Sequence, residues 1–72
     1  MKETIRTWEG RIIGYLEEQA NGDVTARDFY GRILGRYEKS LNVTRDFYGR
    51  IVSRGNTASG LVWEEYNKNG NK

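Results

Sequence analysis

The stretch Arg27-Asp28-Phe29-Tyr30-Gly31-Arg32-Ile33 recurs without change eighteen residues later as Arg45-Asp46-Phe47-Tyr48-Gly49-Arg50-Ile51, within a chain of only 72 residues. A third, more diverged copy runs upstream as Thr4-Ile5-Arg6-Thr7-Trp8-Glu9-Gly10-Arg11-Ile12. All three copies share an aromatic residue, one further residue and then Gly-Arg-Ile. Because such self-similarity is typical of repeat architectures, the sequence predicts three structural units.

The repeats divide the chain into a simple order. One small domain is predicted over residues 1–66, since 72 residues leave no room for a second core. Its units lie at about 4–20, 24–40 and 43–55, and a degenerate strand at 60–66 closes the array. Residues 67–72 contain only Asn, Lys and Gly, which predicts a flexible tail.

Periodicity alone fits either secondary structure. Trp8, Ile12 and Leu16 are spaced by four residues, as on one face of a helix, so a three-helix bundle is the alternative fold. Two glycines inside each of the first two such helices would cost about 1 kcal/mol apiece. The same segments are rich in β-branched and aromatic residues, which strands favour. We therefore predict an all-β fold, a small antiparallel β-meander built from three repeats.

The glycine in every copy marks a special backbone position. Asp28-Phe29-Tyr30-Gly31 has Asp first and Gly fourth, as in a type I turn. Each unit is then either a hairpin bent at the glycine or a long strand kinked there. Alternation along the strands predicts a buried stripe of four rings: Trp8, Phe29, Phe47 and Trp63.

The Gly-Arg-Ile core after an aromatic residue resembles the tandem β-hairpin repeats of the YD type, which carry a Gly-Arg-Leu element at a similar period. The likeness covers the three cores, and the Tyr-Asp dipeptide of those repeats is missing. The chain is also similar to small uncharacterised bacterial β-repeat proteins. Both resemblances imply β-structure and no particular activity.

Composition removes most catalytic chemistry. The chain has no cysteine and no histidine, so it has no Ser-His or Cys-His pair, no disulfide and no thiolate metal site. Neighbouring carboxylates such as Glu17 and Glu18 would point to opposite faces of a strand. Gly31-Arg32-Ile33-Leu34-Gly35 lacks the lysine of a phosphate-binding loop. We predict no enzymatic activity, no cofactor and no metal.

Eight of the twelve basic residues are arginines that interleave with aromatic residues, although the net charge is only +2. The exposed strand edges and apolar residues on both strand faces predict association with another protein or a second copy, as in a homodimer. Binding of single-stranded nucleic acid by an Arg/aromatic sheet face is the alternative. No apolar run is long enough for a membrane span, and we expect a cytoplasmic protein. The candidate partner-binding residues are Arg11, Tyr30, Arg32, Arg36, Tyr48, Arg50 and Arg54.

Overall fold

The computed structural model describes residues 1–70, and the side chains of residues 1–68. Within them, six strands form one antiparallel sheet in which each strand pairs with the next along the chain. The predicted β-meander is therefore confirmed, and the three-helix bundle is wrong. The elements are β1 (Lys2–Arg6), β2 (Ile12–Glu18), β3 (Val24–Asp28), β4 (Ile33–Glu38), β5 (Val43–Asp46), β6 (Ile51–Arg54) and the helix α1 (Ala58–Gly70).

All five turns between the strands are closed by the same hydrogen bond, from the N–H of the fourth turn residue to the carbonyl of the first. In the repeated motif, Gly31 donates to Asp28 and Gly49 donates to Asp46, both at 3.0 Å. The φ angles of these glycines are 88° and 87°. A type I turn followed by a left-handed residue is a common hairpin loop, and only glycine adopts this φ without strain. Each unit is thus a hairpin bent at its glycine, not a kinked strand.

The turns that follow β1, β3 and β5 lie at one end of the sheet, because a meander reverses direction at every turn. An irregularity in register precedes the motif arginine in all three odd strands, at Arg6, Arg27 and Arg45. The three hairpins therefore share local geometry as well as sequence. Their origin as three repeats stays a prediction.

The predicted closing strand at 60–66 is wrong, because these residues belong to α1. The Asn56 side-chain oxygen accepts the N–H of Ala58 at 3.2 Å, which satisfies one of the unpaired donors of the first turn. From Ala58, the apolar positions Leu61, Val62 and Tyr66 follow at helical spacing. The helix also takes up residues 67–70 of the predicted tail, whereas residues 71–72 lie outside the described residues.

The core lies between α1 and one face of the sheet. Ile5, Ile13, Val24 and Ala26 from the strands surround Ala58 and Val62 from the helix, and all six are buried. A Cβ atom built on Gly14 would lie 2.5 Å from Val62 Cγ1, and one built on Gly35 would lie 2.7 Å from Leu61 Cδ1. These two glycines therefore let α1 approach the sheet more closely than any side chain would allow.

The opposite face of the sheet is polar, and no described element covers it. Antiparallel pairing places six cationic side chains and two carboxylates on it, a net charge of +4 on a chain whose total is +2. No helix among the described residues is long and apolar enough to cross a membrane. The charged side chains of this face are Lys2, Arg6, Arg27, Arg36, Arg45, Arg54, Glu17 and Glu38.

The predicted buried stripe of rings is also wrong. Trp8 is 92% exposed, and Phe29, Phe47 and Trp63 are exposed as well. The first three rings occupy the second position of their turns, beyond the ends of the strands. Trp63 lies on α1, not on a strand. The strand alternation that predicted their burial does not extend through a turn.

Candidate functional site at the hairpin tips

The three motif turns carry five exposed aromatic side chains, which we call the tip surface: Trp8, Phe29, Tyr30, Phe47 and Tyr48. Successive tips are two strands apart, or about 10 Å at the usual strand spacing. Tyr30 and Tyr48 are 80% and 77% exposed. Exposed rings concentrated in this way on a small domain are typical of an interaction surface.

Each aromatic pair is held in a defined geometry. The Phe29 and Tyr30 rings meet edge to face at 5.4 Å, and the Phe47 and Tyr48 rings repeat this contact at 5.3 Å. The guanidinium of Arg32 lies 5.8 Å from the centre of the Tyr30 ring, within the range of a cation–π contact. The rings are thus exposed and ordered at the same time.

The aspartate that opens the turn organises the arginine that follows the glycine. The Asp28 carboxylate accepts the backbone N–H of Arg32 at 2.9 Å and its Nε–H at 2.7 Å. Asp46 accepts the same two groups of Arg50, at 3.0 and 2.9 Å. Because both carboxylate oxygens are used, each turn is closed by a side chain as well as by the backbone.

These contacts also shift the pKa values of the two aspartates. Burial raises the pKa of the Asp28 carboxyl, but the hydrogen bonds and positive charge of Arg32 outweigh burial and hold the pKa below its usual value. The pKa of Asp46 is lowered by the same balance between burial and the contacts of Arg50.

A second arginine braces each turn from the preceding strand. Arg27 donates to the Gly31 carbonyl at 2.7 Å and to Glu17 at 2.7 Å. Arg45 donates to the Gly49 carbonyl at 2.7 Å and to Glu38 at 2.5 Å, and Arg6 makes the first of these contacts with Gly10 at 3.1 Å. Hydrogen bonding to Arg27 lowers the pKa of Glu17.

Two grooves separate the three tips, and α1 forms a wall of each. The first groove lies between the turns at 7–11 and 28–32 and has a volume of about 560 Å³; Glu65 and Tyr66 line it from the helix. The second lies between the turns at 28–32 and 46–50 and has a volume of about 760 Å³. Both volumes are within the range of small binding sites.

The structure places the residues predicted to bind a partner on two parts of the sheet, which meet where Arg36 and Tyr48 line one pocket. Arg11, Tyr30, Arg32, Tyr48 and Arg50 lie together on the motif turns, whereas Arg36 and Arg54 lie on the polar sheet face. Sequence reasoning missed three aromatic members of the tip surface: Trp8, Phe29 and Phe47. The signal that locates them is the Asp-to-Gly turn pattern, whose two central residues point outward.

No protein-family model, curated protein or solved structure matches this chain. The resemblance to hairpin repeats of the YD type stays a prediction.

Proposed function

We propose that the protein is a non-catalytic interaction module whose tip surface binds another protein or a second copy of the chain. The observation that carries this proposal is the exposure of five aromatic side chains on three turns at one end of the sheet. Burial of such rings is the main source of energy at protein interfaces, where Tyr, Trp and Arg are enriched. A cytoplasmic location remains a prediction from the sequence.

The hydrogen bonds of the turns support the same proposal. Rings that must be ordered on binding lose conformational entropy, which reduces affinity. In the repeated turns, the edge-to-face contact and the arginine beside the tyrosine already restrict both rings. Because the fold already orders these rings, binding a partner would cost them little further conformational entropy.

The apolar face of the sheet is not the surface that a partner would cover. Sequence reasoning expected apolar residues on an uncovered sheet face, but α1 covers that face and the opposite face is polar. The exposed apolar surface that a partner would bury therefore lies at the tips. Both edge strands, β1 and β6, remain available for pairing, and self-association through them would leave the tips free.

The test is selection of short random peptides on the immobilised protein, followed by solution affinities for the selected sequences. We expect Tyr30→Ser/Tyr48→Ser to weaken binding by tenfold or more, because exposed hot-spot rings dominate such interfaces. Leu41→Ser is the control, since Leu41 is an exposed apolar residue at the opposite end of the sheet. Selected peptides that bind wild type and the tyrosine variant equally well would contradict the proposal.

The same variants separate self-association from binding to another protein. Sedimentation velocity over a range of concentrations measures whether wild type forms dimers. A dimer that Tyr30→Ser/Tyr48→Ser abolishes would identify the second copy as the partner. A dimer that both variants retain would place self-association at the strand edges.

Binding of single-stranded nucleic acid is the second candidate, supported by the net charge of +4 on the polar sheet face. This figure already subtracts Glu17 and Glu38, which contact Arg27 and Arg45. We rank this candidate second because charge alone supports it, whereas five exposed rings support the first. Titration of tryptophan fluorescence with an oligonucleotide at low and high salt tests it, because phosphate contacts weaken steeply as salt rises.

A further inference from the structure

The first motif turn differs from the other two at one position. Thr7 stands where Asp28 and Asp46 open the repeated turns, and its hydroxyl accepts the backbone N–H of Arg11 at 3.2 Å. A threonine hydroxyl reproduces the backbone contact of the aspartates, but it carries no charge to pair with the guanidinium. In the first turn, the arginine that follows the glycine therefore has no carboxylate to pair with in the residue that opens the turn.

Arg11 has no carboxylate within ion-pair distance among the described residues, whereas Arg32 and Arg50 each contact one. The first groove is lined by three arginines and two carboxylates, and the second by three cations and three carboxylates. The first groove therefore carries one net positive charge and the second carries none. Arg32 pairs with Asp28, and the Arg6 guanidinium donates to the Gly10 carbonyl, so within the described part of the chain Arg11 is the groove arginine whose guanidinium makes neither kind of contact.

The rest of the first groove is apolar and aromatic. Ile12, Phe29, Tyr30 and Tyr66 line it, and its volume of about 560 Å³ accepts one large side chain with part of its neighbours. The groove is open between two turns, as a bound segment of chain requires. Its occupant must combine an apolar side chain with a nearby negative charge.

We infer that the first groove binds a peptide segment in which an aromatic residue is flanked by Asp or Glu, with Arg11 as the anchor for a carboxylate. This inference rests on the proposed function of the tip surface and adds the chemistry of the partner. Arginine suits this role because its planar guanidinium can donate two parallel hydrogen bonds to one carboxylate.

The decisive variant is Thr7→Asp. It gives the first turn the residue that opens the other two, so we expect Arg11 to pair internally while the fold is kept. Thr7 and Asp28 are buried to a similar degree, at 8% and 4% exposure, so we expect the first turn to accommodate the aspartate as the second turn does. Lys39→Gln is the matched control, because it also removes one positive charge but lies at the opposite end of the sheet.

The probes are a capped peptide Glu-Phe-Glu-Phe-Glu and its neutral analogue Gln-Phe-Gln-Phe-Gln, titrated against amide resonances of the full chain. Wild type should bind the acidic peptide about tenfold more tightly, as expected for charge-assisted hydrogen bonds, with shifts at Gly10, Arg11 and Tyr30. Thr7→Asp and Arg11→Ala should lose this preference and still bind the neutral peptide. Lys39→Gln should keep the preference.

Three outcomes would overturn the inference. Equal affinity of wild type for the two peptides, with shifts at the tips, would remove Arg11 as the anchor and leave the proposed function intact. Retained preference in Thr7→Asp would place the anchor elsewhere. Absence of binding together with a dimer sensitive to Thr7→Asp would show that a second copy of the chain occupies the groove.

Discussion

Replacement of Gly14 by alanine tests whether the helix depends on a missing side chain in the sheet. Gly14 lies in β2 and faces α1, where a Cβ atom would be 2.5 Å from Val62 Cγ1 and 2.5 Å from the Arg27 carbonyl oxygen. Favourable carbon contacts lie at about 3.5–4.0 Å, so one side must move. Overpacking costs about 1–3 kcal/mol, and we expect about 3 kcal/mol because the Arg27 contact is backbone.

That loss is large for a chain of this size. At about 0.05–0.15 kcal/mol per residue, 72 residues have a free energy of unfolding of about 4–11 kcal/mol. The midpoint of thermal unfolding shifts by about 4–8 °C per kcal/mol in a domain this small, so Gly14→Ala should lower it by about 12–24 °C. Urea unfolding followed by circular dichroism and tryptophan fluorescence measures the free energy of unfolding, and a temperature scan followed by circular dichroism measures the thermal midpoint.

Gly60→Ala is the matched control, since Gly60 lies in the first turn of α1 and a Cβ atom there meets nothing within 4 Å. Alanine should raise stability there by up to about 1 kcal/mol, because glycine is a poor helix former. Adding Val62→Ala to Gly14→Ala should cost less than the sum of the single changes, since it removes the side-chain part of the clash. Wild-type stability of Gly14→Ala would refute the close-approach explanation.

Three further changes test other contacts. Thr44 is fully buried, and its hydroxyl donates to the Gly55 carbonyl at 2.8 Å and accepts the Thr57 N–H at 3.0 Å. Thr44→Val should therefore lower the free energy of unfolding by about 1–3 kcal/mol in urea unfolding, and Thr44→Ser should lower it clearly less. Folding lowers the pKa of Asp28, so its contribution to the free energy of unfolding is present above about pH 4 and is lost as pH falls through the lower folded pKa. Asp28→Asn should therefore reduce the loss of stability at low pH, measured as urea midpoints from neutral pH to about pH 2. Gly31→Val should lower the free energy of unfolding by about 1–2 kcal/mol or more in the same assay. The cause would be the φ of 88° alone, since a Cβ atom there meets nothing within 4 Å, and wild-type stability of the variant would contradict the turn geometry.

The meander was predictable because the glycines penalise helices and mark the turns. Gly31 and Gly49 lie at the turn positions that the Asp-to-Gly pattern indicates. The orientation of the rings was predictable from the same pattern, yet alternation was continued from the strand into the turn. Phe29 lies in the turn, beyond the last residue of β3, where strand alternation no longer assigns a face, and its ring is exposed.

Part of the candidate site could be read from the sequence. The motif places Tyr30, Arg32, Tyr48 and Arg50 at equivalent positions, and a meander brings equivalent turns to one end. The roles of the arginines could not be read in this way. Only the fold shows that Arg32 is paired with its own turn, that Arg11 is not, and that Arg36 lies on β4 and contacts Glu38.

The helix was missed because its segment fits two periods. Leu61, Val62, Trp63 and Tyr66 suit a short strand as well as a short helix, and a helix of this length is marginal without tertiary contacts. What decides between them is the sheet face, where Gly14, Ala26 and Gly35 form a shallow surface with no large side chain. A strand in a single layer would leave that surface open to water, whereas a helix places Ala58 and Val62 against it. The interior glycines that disfavour helices in residues 4–40 therefore also indicate that another element packs on top of them.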